Sequence, residues 1–92
     1  MKPHTPDVWS IQLFYEAGGR FSLNVRRNDH SQHQVFIEPN TQYMRCVDCK
    51  GFEYRKTCEH LKNAVRFLHD QGKISDLDFK VLTDELNSPK RA

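Results

Sequence analysis

Residues Cys46-Val47-Asp48-Cys49 and, eight residues on, Cys58-Glu59-His60 decide how this chain folds. They hold all three of its cysteines within thirteen positions. A Cys-x-x-Cys pair is spaced so that two thiolates reach one tetrahedral ion from a tight turn, and Gly51 beyond it lets the backbone fold back toward sulfur. Cys58 and His60 fall where a helix is predicted to begin, one just before it and one in its first turn. A helix N-terminus turns free N–H groups and partial positive charge toward the thiolates. Three sulfurs and one imidazole fill four positions, which describes a structural Zn2+ with no site left for water or substrate. Two other readings stand beside this one. Cys46 and Cys58 are small core residues in the first, with His60 at the surface. The second is a redox Cys-x-x-Cys, but that motif opens a helix within a βαβ context, and Lys50-Gly51-Phe52 with no such pattern follows here.

Upstream of the cysteines the chain alternates. Trp9, Ile11, Leu13 and Tyr15 are predicted to share one face of a strand over Val8–Tyr15. Ala17-Gly18-Gly19 then supplies a hairpin turn, and Phe21, Leu23 and Val25 line the returning strand. Asn28–His33 contains no apolar residue and reads as a loop. Val35-Phe36-Ile37 is a third strand, stopped by Glu38-Pro39-Asn40, and Tyr43-Met44-Arg45 resumes extended structure into Cys46. Downstream the period becomes helical. Leu61, Ala64, Val65 and Leu68 define one apolar face between roughly Thr57 and His69, which Gly72 ends. Ser75 and Asp78 resemble a capping box, Ile74 and Phe79 a hydrophobic staple, and Leu82 and Leu86 continue a second helix to Asn87-Ser88-Pro89. The expected fold is therefore a small α+β domain, an antiparallel sheet followed by two helices and pinned by zinc. Residues 1–7 are expected to be a flexible N-terminus, 8–87 the domain with a finger core at 34–69, and 88–92 a frayed end.

Ninety-two residues, 37% hydrophobic and 28% charged, allow one small domain and no second. A chain of this size buries roughly 60–65% of its unfolded surface, so its core is marginal. A mean hydropathy of −0.79 agrees, and a structural metal is a common supplement in such domains. No run nears the ~20 apolar residues a membrane span needs. Met1–Pro6 leads into no apolar stretch, so no secretory signal is expected and a cytoplasmic location (nuclear in a eukaryote) is, where thiols stay reduced. The odd cysteine count also favours a metal or a free thiol over disulfides. The net charge of +2 is uneven: residues 20–66 carry nine basic and five acidic side chains, and the two ends are each −1.

With these residues in view, the stretch resembles a SWIM-type zinc finger. That family reads Cys-x-Cys, a variable gap, Cys-x-His and an apolar helix, preceded by a short strand. The matching text is Val35-Phe36-Ile37, Tyr43-Met44-Arg45-Cys46-Val47-Asp48-Cys49 and Cys58-Glu59-His60-Leu61-Lys62-Asn63-Ala64-Val65. It covers roughly residues 34–69, with a first pair one residue longer than the family's. A treble-clef finger is the alternative. The resemblance implies that Cys46, Cys49, Cys58 and His60 hold zinc in a ββα unit, within a binding module of DNA-linked or protein-interaction role.

Two function classes follow. In the first, the basic middle binds nucleic acid, DNA placed ahead of RNA, with Arg45, Lys50, Arg55, Lys56, Lys62 and Arg66 on phosphates. In the second, the chain is an adaptor or regulator that docks on a nucleic-acid-processing complex through an apolar patch around Phe52 and Tyr54. An enzyme is not expected, because no nucleophile–base pair or phosphate loop is present, and no small-molecule substrate or membrane partner is implied. Remaining features have ordinary readings: Trp9, Phe14 and Tyr15, which could stack on bases, as core, His30 and His33 as solvated loop residues, and His69 as a complement to a helix C-terminus. Asp76, Asp78, Asp84 and Glu85 read as the polar face of a helix.

Overall fold

The alternating first half closes into a sheet of four antiparallel strands arranged in chain order, β1 (Trp9–Ala17), β2 (Arg20–Arg27), β3 (His33–Glu38) and β4 (Tyr43–Cys46). Helices α1 (Glu59–Asp70) and α2 (Asp76–Asn87) follow. This computed structural model describes residues 8–28, 32–50, 52 and 58–87. The expected flexible N-terminus (1–7) and frayed C-terminus (88–92) lie outside them.

Each turn is made by residues suited to it. Gly18 and Gly19 both have positive φ, 57° and 78°, the geometry of a two-residue hairpin turn that follows the strand twist. Asn28, at the open end of the same hairpin, exchanges backbone and side-chain hydrogen bonds with Val8. Pro39–Thr41 forms a single 3-10 turn that ends at Gln42 in the left-handed region and links β3 to β4. Gly72, with φ 72°, ends α1. There the Gly72 N–H donates to the His69 carbonyl and the Lys73 N–H to the Leu68 carbonyl, which satisfies two otherwise orphaned acceptors. Ser75 Oγ accepts from the Asp78 N–H at 3.1 Å and caps α2, as the Ser75/Asp78 spacing predicts.

The core lies between one sheet face and α1. Phe21, Leu23 and Val25 of β2 and Val35 and Ile37 of β3 are buried against Leu61, Ala64, Val65 and Leu68, the apolar stripe read from the sequence. Ile74, Leu82 and Leu86 are buried in the same cluster, with Phe79 packed against it. Two contacts tie the helices together. His69 Nε2 lies 2.6 Å from Asp76 Oδ1, and the His69 ring stacks on Phe79 with centroids 4.2 Å apart. His69 is thus a link between helices rather than only a helix-end complement. No helix among the described residues is long and apolar enough to cross a membrane.

The structure corrects the reading of β1. The β1–β2 register shifts between Leu13 and Tyr15, where Phe14 is the extra residue of a bulge. The bulge moves Tyr15 off the face of Trp9, Ile11 and Leu13 and pairs it with Ser22 on the other side of the sheet. Phe14 and Tyr15 are consequently 47% and 52% exposed rather than core, while Trp9 packs against the core.

Candidate metal centre

Three elements deliver the four predicted ligands. Cys46 is the last residue of β4, and the turn after it reverses through Asp48, held at φ 56°, before Cys49. Aspartate tolerates this left-handed conformation better than most residues. The Val47 N–H donates to the Gln34 carbonyl at 2.9 Å, which anchors this knuckle to β3. Cys58, with extended φ and ψ, is the N-cap of α1, and its Sγ accepts from the Leu61 N–H at 3.5 Å. A thiolate here occupies the place of a capping oxygen, facing the positive end of the helix. His60 follows in the first turn.

The ligand atoms of Cys46, Cys49, Cys58 and His60 all lie within 4.8 Å of one another, and Cys49 Sγ is 3.8 Å from His60 Nδ1. Metal–ligand bonds of ~2.3 Å to sulfur and ~2.0–2.1 Å to nitrogen require tetrahedral edges of about 3.6–3.8 Å. The cluster therefore fits one ion with small inward movement. Cys46 and Cys49 are buried, and Cys58 and His60 half-buried. These four can hold one metal ion, in the donor combination used by closed structural sites.

Protonation of the metal-free set is unequal. The Cys46 thiol donates to Cys58 and is buried, and both effects push its pKa far up. The same hydrogen bond holds Cys58 down at about 5, against the opposing effect of its burial and with help from the Leu61 N–H. Of the two, Cys58 is held toward the thiolate and Cys46 toward the protonated form.

Around His60 stand two side chains that the sequence reading placed elsewhere. The His33 ring lies 4.3 Å from the His60 ring, and Trp9 meets His60 edge-on at 5.7 Å. His33 Nδ1 is 2.9 Å from the Val47 carbonyl oxygen. A carbonyl only accepts, so this nitrogen carries the proton. His33 therefore belongs to β3, half-buried and braced between the knuckle and a ligand, not to a solvated loop. The legible signal was its spacing, because residues 33, 35 and 37 share the core face once the strand is extended back by two residues.

The basic residues singled out in the sequence do not gather in one place. Arg45 is exposed on the sheet face opposite α1, paired across β3–β4 with Phe36. Lys50 is exposed after the knuckle. Lys62 and Arg66, one turn apart on α1, line a cleft of about 130 Å³ with Phe79, Thr83 and Leu86 of α2. Lys62 reaches Glu59 at 3.8 Å, an exposed pair of little energetic weight. Arg55 and Lys56 lie outside the described residues, as do His30, Gly51 and Tyr54. Phe52, half-buried, packs against the core. No family model, curated protein or solved structure matches this chain.

Proposed function

We propose that this chain is a non-enzymatic zinc-binding module that binds nucleic acid. The observation that carries the first part is the Cys46, Cys49, Cys58 and His60 cluster. Zinc is the ion that this three-sulfur, one-imidazole set suits best, and with four protein ligands it keeps no position for a substrate. The ion ties the end of β4 to the start of α1 and supplies stability that a small core lacks. The order of β3, β4, knuckle and α1 supports the SWIM-type reading of the segment.

Support for the second part is the disposition of cations around that centre. Among the described residues, Arg45, Lys50 and Arg66 have no acidic partner, and Lys62 has only the weak Glu59 contact. Arg45 on the open sheet face, Lys50 after the knuckle, and Lys62 and Arg66 on α1 are separate points at which a phosphate can be contacted. Binding then falls with salt by about 0.7 log units per decade for each contact on a single strand, and about 0.9 on a duplex. Fluorescence anisotropy of zinc-loaded protein with labelled DNA and RNA oligonucleotides across a salt series tests this reading. A slope between about −0.7 and −3 on single strands is expected, for one to four contacts. Failure to retain DNA or RNA even at low salt overturns it.

A further inference from the structure

We infer that the open face of the sheet, opposite α1, is a stacking platform for single-stranded nucleic acid. This inference rests on the nucleic-acid reading above and names the substrate form and the surface.

The bulge at Phe14 creates the surface. By turning Tyr15 to the open side, it completes a row across all four strands: Tyr15 opposite Ser22, Ser22 opposite Phe36, and Phe36 opposite Arg45. In an adjoining row Arg20 meets Glu38 in a 3.3 Å ion pair, and Glu38 is registered with Tyr43. These side chains border a cleft of about 430 Å³, a volume typical of ligand sites. Ser22 is buried beneath its neighbours, while Tyr15 and Tyr43 are about half exposed. The third row is Gln12 opposite Asn24 opposite Gln34, three amides side by side.

The chemistry of these rows selects the occupant. Aromatic rings on a sheet surface stack with any base, but only if that base is free of a duplex partner. Amides offer both donors and acceptors, as base edges require. Among the described residues, the charged side chains at open-face strand positions are Arg20, Arg26 and Arg45 against Glu38, a positive balance that complements phosphate. Aromatic and polar side chains dominate these rows; of the aliphatic residues at the cleft, Ile37 is buried and Val47 borders one end, so little aliphatic surface is offered to a protein partner. Tyr15, Phe36 and Tyr43 take bases, Arg45 takes a phosphate, and the amide row reads base edges.

Anisotropy with mixed-sequence 12-nucleotide DNA and RNA strands and their duplexes, on the zinc-loaded chain, tests the inference. Single strands are expected to bind at least tenfold more tightly than duplexes. Tyr15→Leu and Tyr43→Leu keep apolar bulk at exposed positions and are expected to leave the melting curve unchanged. Each is expected to weaken single-strand binding roughly 5- to 150-fold, the effect of losing one stacked base. Tyrosine fluorescence is expected to be quenched on saturation with the oligonucleotide. If the wild type binds oligonucleotides but both variants bind equally well, while Lys62→Ala and Arg66→Ala weaken binding, the platform is refuted and the nucleic-acid reading survives. If the wild type binds no oligonucleotide, that reading itself fails. Equal affinity for duplex and single strand refutes the platform. So does a Tyr15-dependent protein partner that survives nuclease treatment of a chain without oligonucleotide affinity.

Discussion

Replacing Cys49 by alanine removes one sulfur from the metal set and little else, since the side chain is small and buried beside the core. In excess chelator the wild type and Cys49→Ala are expected to differ by only about 1 kcal/mol, the cost of a small buried group. With zinc present the two diverge. The ion links Cys46 to His60 across an intervening segment of thirteen residues. Cross-linking a loop of about 15 residues is worth about 3 kcal/mol in chain entropy alone, which sets the floor. Structural zinc in finger peptides contributes about 10 kcal/mol or more, comparable to the roughly 5–14 kcal/mol total expected of a 92-residue domain. At 4–8 °C per kcal/mol for a domain of this size, Cys49→Ala in zinc is expected to melt at least about 12 °C below the wild type. At the upper figure it shows no cooperative transition. The assay is thermal denaturation followed by circular dichroism, with each protein run in zinc and in chelator. Wild-type curves that superimpose in zinc and chelator would refute the reasoning, because the sheet and helices would then be held together without the ion.

Other consequences are smaller in scale. His33→Phe keeps a ring against His60 but loses the N–H donated to Val47, and zinc affinity measured by competition with a chromophoric chelator is expected to fall about tenfold. Ser75→Ala removes the cap of α2 and is expected to cost about 1 kcal/mol, read as a fall of about 4–8 °C in Tm with metal binding unchanged. Zinc binding at pH 7 is expected to release the Cys46 proton but almost none from Cys58, whose pKa is held at about 5. Calorimetry in buffers of different ionisation enthalpy counts these protons. The sign follows: affinity falls as pH falls, because protons compete with the ion for sulfur and imidazole.

The pattern of period two followed by period 3.6 was enough to place four strands and two helices, because each apolar stripe has one face to bury. Cys46, Cys49, Cys58 and His60 were legible for a similar reason: the spacing that suits a knuckle and a helix start leaves little choice of ligand. Tyr15 was not legible. A bulge of one residue reverses the face of everything beyond it, and nothing in Leu13-Phe14-Tyr15 marks which residue is extra. The polar stretch Asn28–His33 carries no alternation that marks His33 as strand, and its contact with His60 depends on β3 and α1 meeting in space. The basic centre illustrates the opposite error. Residues adjacent in sequence, such as Arg45 and Lys50, lie on either side of the knuckle, so a charge excess along the chain did not describe one surface.

X-ray absorption at the zinc edge addresses the central claim most directly. For the zinc-loaded chain we expect one ion per molecule, with three sulfur scatterers at ~2.3 Å and one imidazole nitrogen at ~2.0–2.1 Å. A first shell that includes water oxygen, or that holds fewer than three sulfurs, would contradict a closed site made by Cys46, Cys49, Cys58 and His60.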